Sequence, residues 1–339
     1  MTPINHRRIA QFRANRRGVA SLIVFGVLFL LTLFAELLAN DRPIVIRYDG
    51  AFYYPILRDY PETVFGGDLP TNAVYTDVEV VHLIEAKGWM VWPPLPYRYD
   101  TRAGGEQRSA LLPPSLEHPL GTDDQARDVL ARVIYGFRIS VLFGFTLTIL
   151  SSIMGIAAGA VQGYFGGWID LGFQRFLEVW ASLPTLYMLI ILASLVQPTF
   201  WILLGLMLLF SWTVLVGYVR AEFLRGRNFD YVRAARALGM LDARIMMRHI
   251  LPNAMTAALT YLPFILAGSV TTLTALDFLG YGLPPGSPSL GELVLQGKNN
   301  LNAPWLAFTA FIVIALMLSL LVFIGEAVRD SLNPRKASA

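Results

Sequence analysis

The sequence has no cysteine, only four histidines, and a charged fraction of only 15% over 339 residues. Without cysteine there is no disulfide framework and no thiol chemistry. The histidines stand at positions 6, 82, 118 and 249, which is not the spacing of a metal-binding cluster. The sequence therefore predicts no metal site, and the compartment has to be inferred from topology.

Ionisable residues are also scarce inside the long apolar runs. Glu36, Glu178, Glu222 and Glu326 all lie near the ends of predicted membrane spans. Because ion-coupled transporters need ionisable groups near the bilayer midplane, the sequence does not predict a proton or sodium relay.

Motifs for catalysis and for nucleotide binding are missing too. The nearest P-loop lookalike, GELVLQGKN at 291–299, has the wrong glycine spacing and lacks the Ser or Thr that would hold Mg²⁺. Neither G-x-S-x-G nor H-E-x-x-H occurs, which argues against a membrane-bound hydrolase. We therefore predict no catalytic residue and no cofactor in this chain, and the energy for any transport must come from another subunit.

Apolar residues are what the sequence has in abundance. They make up 55% of the chain, and the mean hydropathy is +0.52. A chain of this length and composition is far too apolar to be soluble, so we predict a membrane protein. The formal net charge of +3 does not indicate nucleic-acid binding, because basic residues are expected beside membrane spans.

Six apolar runs are each close to the roughly 20 residues needed to cross the hydrocarbon core. We predict spans at about 19–39, 138–161, 176–196, 200–219, 256–276 and 305–325. The first is too long for a signal-peptide core and has a poor cleavage site, so we expect it to be retained with residues 1–40 as N-terminus and first span. The second carries Gly155, Gly159 and Gly163 on one face, which permits close helix packing.

Residues 41–119, between the first two spans, have the composition of a soluble insert. Alternating apolar runs at 44–48 and 51–57, separated by Gly, Pro and Asp, predict short strands. The aromatic and proline-rich tract at 89–97 is predicted to be a polyproline II segment packed on its own aromatics, with a ligand platform as the alternative. We expect the insert to dock a partner, and a shield over the membrane-embedded part of the chain is the alternative.

An amphipathic lead-in helix is predicted at 120–137, before the second span. Asp123 and Asp124 precede its helical pattern. A metal or catalytic role for this pair is conceivable, but capping of the helix start is the expected role.

A polar, arginine-rich island occupies residues 220–255, between the fourth and fifth spans. Asp230 is predicted to cap a helix over 231–238, Gly239 to supply the permissive C′ position, and Asp242 to cap a second helix that must end before Pro252. The apolar stripe of the second helix is predicted to consist of Ala243, Met246, Met247, Ile250 and Leu251. In the first helix, Ala234, Ala235 and Leu238 form a slim face suited to docking in a groove, although an interfacial connector remains the alternative.

Basic residues set the expected orientation. They cluster in the N-terminus, in the island and in the tail at 332–339, which contains Arg335 and Lys336. The loop at 277–304 has only Lys298. By the positive-inside rule, both termini and the island are predicted to be cytoplasmic and the long insert to lie on the outer side of the membrane.

The fifth span is rich in hydroxyl side chains. We predict that Thr260, Ser269, Thr272 and Thr274 line a wet path and do not face lipid. The alternative is that these hydroxyls bond to their own backbone and only pack.

The spacing of the island resembles the EAA loop of ATP-binding-cassette (ABC) importer permeases, which has the form E-A-A-x3-G-x9-I-x-L-P. Arg233 stands where that pattern has Glu, and His249 stands where it has Ile. The form R-A-A-R-A-L-G followed by R-H-I-L-P-N resembles the dipeptide and oligopeptide branch of this family. The resemblance implies an ATPase-coupling loop formed by Arg233, Ala234, Ala235, Leu238, Gly239, His249, Leu251 and Pro252.

Other stretches resemble the same branch. Residues 120–144, 229–239 and 276–294 are similar to the C-type permeases of peptide importers, and residues 37–55 are similar to an importer of oligopeptides and of the peptide-nucleotide antibiotic microcin C. The resemblance implies an all-α polytopic protein of the bacterial inner membrane with six transmembrane helices and the type I ABC importer permease fold. Its permease domain would span 138–331.

The resemblance also implies the partners. They are a second permease subunit in a heterodimer, an ABC ATPase subunit or fused tandem ATPase that holds ATP and Mg²⁺, a periplasmic peptide-binding protein, a peptide substrate and membrane lipid. A stand-alone secondary transporter or channel is the alternative function, and copurification with an ATPase would separate the two.

Overall fold

The computed structural model describes residues 3–102 and 111–332. Its α-helices are α1 Pro3–Ala14, α2 Arg16–Leu33, α3 Ala35–Leu38, α4 Val78–Glu85, α5 Val129–Phe165, α6 Gly167–Ala181, α7 Thr185–Ser194, α8 Phe200–Ser211, α9 Thr213–Gly226, α10 Asp230–Ala237, α11 Asp242–Ile245, α12 Leu251–Phe278, α13 Leu290–Asn299 and α14 Pro304–Leu332. The strands are β1 Val45–Tyr48, β2 Ala51–Tyr53 and β3 Gly88–Val91, with a 3₁₀ turn at Glu62–Phe65 and a π-helical turn at Met246–Ile250. The predicted tail at 332–339 lies outside the described residues except for Leu332.

Four helices in the described part of the chain are long and apolar enough to cross a membrane. They are α2, α5, the continuous helix Asp242–Phe278 and α14. Two bent pairs, α6 with α7 and α8 with α9, raise the number of candidate spans to six. This confirms the predicted polytopic helical fold, with short strands between the first two spans.

The third and fourth predicted spans are bent in the structure. The pair α6–α7 is bent by 73° at the break before α7, where Pro184 has an extended conformation. Proline lacks an N–H and disfavours helical conformation in the residue before it, here Leu183, so a continuous helix is disfavoured at this break. The pair α8–α9 is bent by 40°. There the Ser211 hydroxyl donates to the Met207 carbonyl at 2.7 Å, a side-chain bond that often bends helices.

The prediction of a helix over 120–137 was wrong at its start, because α5 begins at Val129. The Asp123 carboxylate accepts the backbone N–H groups of Gln125 and Arg127, each at 2.9 Å, and such local bonds compete with helix formation. Asp128, which accepts the Ala131 N–H at 2.8 Å, takes the capping role that we predicted for the earlier aspartates.

Two compact units make up the structure. The first unit consists of the described residues within Met1–Gly26, Ser140–Pro284 and Ile314–Ala339. The second unit consists of those within Val27–Ile139 and Pro285–Val313.

In the second unit, the insert contains an antiparallel sheet in the order β2-β1-β3. Ile46 and Tyr48 of β1 are buried against Phe65, Val80 and Ile84. The sheet confirms the predicted short strands.

The polyproline II prediction for the start of the 89–97 tract was wrong, because this stretch enters β3 and pairs with β1. Trp89 packs edge-on against Phe52 of β2, with ring centroids 6.3 Å apart, and not against its own tract. The aromatic and apolar side chains of this stretch favour a strand once a partner strand is available.

In the first unit, α5 and α9 pack in close contact along the predicted glycine face. A Cβ atom would lie 2.4 Å from the Trp212 carbonyl oxygen at Gly155, and 2.5 Å from that of Arg220 at Gly163. Only glycine permits this approach, so the packing prediction is confirmed.

Candidate functional site

The turn between α10 and α11 has the predicted glycine termination. Gly239 has a φ of +77°, and the Met240 N–H donates to the Ala235 carbonyl at 3.1 Å. This six-to-one bond is typical of a helix that ends in a left-handed residue. Gly239 therefore sets the direction in which the chain leaves α10.

The predicted caps are not formed. Asp230 and Asp242 are the first helical residues, and the residues before them make no side-chain cap bond. Both acids still favour the positive end of the helix dipole. The Asp242 carboxylate instead accepts the hydroxyl of Tyr164, at the end of α5.

The second island helix was predicted to end before Pro252, and this prediction was wrong. It passes through a π-helical turn, Met246–Ile250, and continues directly into α12. Proline removes a helical hydrogen bond, and its ring clashes with the carbonyl four residues earlier. Here that carbonyl belongs to Arg248, inside the wider π turn, which accommodates the proline without ending the helix.

The π turn also changes which side chains are buried. Of the predicted stripe, Ile250 is buried and Met246 and Leu251 pack against the same core cluster, whereas Ala243 and Met247 are exposed. Ile245, outside the predicted stripe, is buried. A π turn adds one residue, so the apolar face shifts by one position. The regular helical spacing therefore predicted Met246, Ile250 and Leu251 correctly and Ala243 and Met247 incorrectly.

The slim face of α10 is divided between the core and the surface. Val232 and Ala235 are buried in one cluster with Phe223 and Ile250. Ala234 is exposed, and Leu238 is 87% exposed. Leu241, on the other side of Gly239, is 72% exposed. Exposed leucines at the tip of a helix pair are typical of a surface that binds a partner.

The remaining predicted coupling residues surround this tip. Arg233 is exposed along an open groove of about 720 Å³, which Leu241 and Gly239 also line. Leu251 is partly buried against the cluster. Pro252 is exposed, and the Nε2 atom of His249 is buried without a hydrogen-bond partner among the described residues.

The helix pair is fixed to the end of α5 by residues that the sequence reasoning missed. Arg227 donates to the carbonyls of Gly163 and Tyr164, at 3.4 and 3.2 Å. The Arg236 guanidinium lies 5.2 Å from the centre of the Tyr164 ring. Arginine at the carboxyl end of a helix binds its free carbonyls and matches its dipole. The only local signal in the sequence for this role of Tyr164 was that it is an aromatic residue at the end of a span.

The predicted pathway residues separate into three groups. Ser269 and Thr272 line a cavity of about 450 Å³, together with the hydroxyl side chains of Ser211, Thr213, Tyr218 and Tyr261. Thr260 lines a different cavity, and Thr274 lines neither of these two. The rings of Tyr218 and Tyr261 are stacked with centroids 3.8 Å apart, a contact between helices that no local pattern could reveal.

The hydroxyls themselves bond as the packing alternative predicts. Thr260 donates to the Thr256 carbonyl at 2.9 Å, and Ser269 donates to the Ile265 carbonyl at 2.8 Å. These bonds satisfy the donors, while each oxygen can still accept from water or a ligand. Ser269 and Thr272 are therefore the candidates for the pathway because they line the cavity, and not because they carry hydroxyl groups.

Asp123 belongs to a buried ionic network in the second unit. Its carboxylate is bound by Arg127, at 2.7 Å, and by Arg132, and both arginines also contact Glu292 of α13. Burial alone would raise the pKa of Asp123, but the guanidiniums of Arg132 and Arg127 and the Arg127 N–H lower this pKa below its ordinary value. The network joins the loop before α5 to α13.

Comparison with known proteins gives two family matches. Residues 137–338 match a family described as binding-protein-dependent transport system inner membrane component. Residues 6–55 match the N-terminal TM domain of oligopeptide transport permease C.

Three relatives extend this comparison. The inner membrane ABC transporter permease protein YejE of Escherichia coli K12 is 57% identical over 99% of both chains. The peptidoglycan transport system permease protein YejE of Agrobacterium fabrum is 55% identical over 99% of this chain and 94% of that one. The oligopeptide transport system permease protein OppC of Lactococcus lactis IL1403 is 35% identical over 67% of this chain and 79% of that one.

Proposed function

Because the chain belongs to the binding-protein-dependent transport system inner membrane component family, we propose that it is the permease subunit of an ABC importer for oligopeptides. This family is one of membrane transport proteins and not of enzymes, and the chain is a multi-pass membrane protein. The match of residues 6–55 to oligopeptide permease C and the name of the Lactococcus relative support a peptide cargo. The similarity of residues 37–55 extends the proposed cargo to peptide-nucleotide antibiotics of the microcin C type.

The observation that carries this proposal is the exposed tip of the α10–α11 helix pair. Leu238 and Leu241 project beside Gly239, while Val232 and Ala235 fix the opposite face of the pair in the core. A rigid helix pair with apolar side chains at its tip suits insertion into a groove on another protein. We propose that this partner is the ATPase subunit, which binds ATP and Mg²⁺ and moves the pair during its cycle.

The cavity that contains Ser269 and Thr272 is the proposed segment of the translocation pathway. Its hydroxyl oxygens can accept hydrogen bonds from peptide N–H groups without selecting one charge. This lining suits a transporter whose cargo varies in side chain but always has amide groups. A second permease subunit would complete the pathway.

We further propose that both termini and the helix pair face the cytoplasm, as the distribution of basic residues favours. The insert sheet then faces the periplasm, where it would contact the peptide-binding protein or the second permease.

Reconstitution tests this function. The chain should copurify with an ABC ATPase subunit, identified by mass spectrometry, and peptide uptake into proteoliposomes should require ATP and the binding protein. A Leu238→Asp/Leu241→Asp variant should lose the ATPase, whereas Leu57→Asp, another exposed leucine (83% exposed), should retain it. Uptake by the chain alone, without ATPase, would instead identify a stand-alone transporter.

A further inference from the structure

A second cavity of the first unit, beside the helix pair, is lined by basic side chains. It has a volume of about 490 Å³ and lies among α1, the end of α9, the start of α12 and the end of α14. Its charged residues are Arg7, Arg8 and Arg225, with Glu222 as the acid among the described lining residues. The cavity therefore has an excess of positive charge.

Two of these arginines are not neutralised by protein carboxylates. Arg225 pairs with Glu222 at 2.7 Å. Among the described residues, Arg7 and Arg8 form no ion pair, and Arg8 donates a 3.5 Å hydrogen bond to the hydroxyl of Thr256. Arg7 and Arg8 line one cavity and pair with no carboxylate among the described residues, so their N–H groups provide the donors that an anionic phosphate requires.

The rest of the lining favours a lipid over a free phosphate. Phe229, Ile250 and Leu332 form an apolar wall, which a phosphate ion would leave uncovered. A neighbouring cavity of about 370 Å³ shares five lining residues with the first and adds Arg329. The rings of Phe229 and Tyr231 lie 5.6 Å apart in the wall, and aromatic residues are common at headgroup depth.

We propose that this cavity binds the headgroup of an anionic phospholipid, with its phosphate between Arg7, Arg8 and Arg225 and its acyl chains along the apolar wall. Basic pockets between transmembrane helices bind such headgroups on the cytoplasmic side, where this cavity lies in the proposed orientation. The lipid would contact Phe229 and Ile250, which flank the helix pair on both sides. Its occupancy would therefore fix the position of the pair that meets the ATPase.

The test uses the purified full chain in a neutral detergent and fluorescent phosphatidylglycerol, with fluorescent phosphatidylcholine for comparison. Phosphatidylglycerol should bind more tightly than phosphatidylcholine. Arg7→Gln/Arg8→Gln should weaken phosphatidylglycerol binding by about fivefold for each arginine removed. Arg7→Lys/Arg8→Lys, which keeps the charge, should restore most of the affinity.

The matched control is Arg13→Gln/Arg16→Gln, which removes the same charge from exposed side chains outside the cavity. It should bind phosphatidylglycerol as the wild type does. An equal loss of phosphatidylglycerol affinity in Arg7→Gln/Arg8→Gln and in Arg13→Gln/Arg16→Gln would overturn the proposed site. Equal binding of phosphatidylglycerol and phosphatidylcholine by the wild type would overturn it as well. Glycerol phosphate that binds as tightly as phosphatidylglycerol would show a phosphate site instead of a lipid site and would also overturn the proposal.

Discussion

Arg220 of α9 binds Asp170 of α6 through two parallel hydrogen bonds, from Nε at 2.5 Å and from Nη2 at 2.6 Å. Both side chains are mostly buried, at 25% and 16% exposure. Two parallel bonds between a guanidinium and a carboxylate fix both the distance and the relative orientation of the groups. This ion pair therefore connects α6 of the bent span α6–α7 to α9 of the bent span α8–α9. The end of α9 leads directly to the α10–α11 helix pair.

This connection should be measurable as a coupling energy. Asp170→Asn and Arg220→Gln should each destabilise the purified protein, by about 1.5–3 kcal/mol, because each leaves a partly buried charge without its partner. The double variant should lose less than the sum of the two. Thermal unfolding in detergent measures this, and strictly additive losses would show that the pair contributes no specific connection.

Gly239 should be sensitive to any side chain that disfavours a left-handed conformation. Gly239→Val should cost about 1–2 kcal/mol in the turn and misalign α10 and α11, although a Cβ there has open space around it. Transport should fall while the amount of protein in the membrane stays constant. Gly239→Asn is the matched control, because asparagine tolerates this conformation, and it should transport almost normally. Full transport by the valine variant would mean that the turn is not part of the coupling device.

The spans and Gly239 were predictable from sequence because both depend on local information. Apolar length determines a span, and a glycine after a helical pattern marks its end. The path of the chain around Asp123 was not predictable from local sequence. The buried charge of Asp123 is neutralised by two arginines, and both arginines also pair with Glu292, which is distant in sequence. The π turn at Met246–Ile250, which directly precedes the helical Pro252, was not predictable either, because a pattern that assumes a regular helix cannot show it.

The natural absence of cysteine makes the proposed pathway accessible to chemical labelling. Ser269→Cys and Thr272→Cys should react with a small aqueous thiol reagent, because both positions line the hydroxyl-rich cavity. Phe311→Cys should be protected, since that side chain is 66% exposed on an apolar span where lipid is expected to cover it. Equal protection of all three positions, in resting and transporting complexes alike, would remove the support for a wet path.

The network around Asp123 should make stability depend on acidic pH. The pKa of Asp123 is lowered in the folded protein. The contribution of Asp123 to stability is therefore present above its pKa in the unfolded chain, about 4, and is lost as pH falls through its pKa in the folded protein. Asp128 acts in the opposite sense, because burial raises its pKa, and its contribution is lost as pH rises through that folded value. Asp123→Asn should therefore lower the melting temperature at neutral pH and reduce its further loss in acid. Asp124→Asn is the control, and equal acid slopes for wild type and Asp123→Asn would contradict the assignment.

The insert sheet presents an aromatic pair that suits a docking role. Phe52 of β2 and Trp89 of β3 are both paired with Arg47 of the central strand β1, pack against each other on one face of the sheet, and remain 55% and 43% exposed. Exposed aromatic side chains of this kind are common anchors of protein interfaces. Phe52→Ser/Trp89→Ser should therefore reduce transport that depends on the binding protein, while membrane insertion and copurification with the ATPase are retained.

The control for this prediction is Val74→Ser/Val78→Ser, which removes apolar side chains that are 60% and 70% exposed outside the sheet. This control variant should leave transport unchanged, because Val74 and Val78 lie outside the sheet that carries the proposed aromatic docking pair. The measurement is peptide uptake as a function of binding-protein concentration, in which a docking defect raises the concentration needed for half-maximal uptake. An unchanged half-maximal concentration in the aromatic double variant would contradict docking through this face and favour a shielding role for the insert.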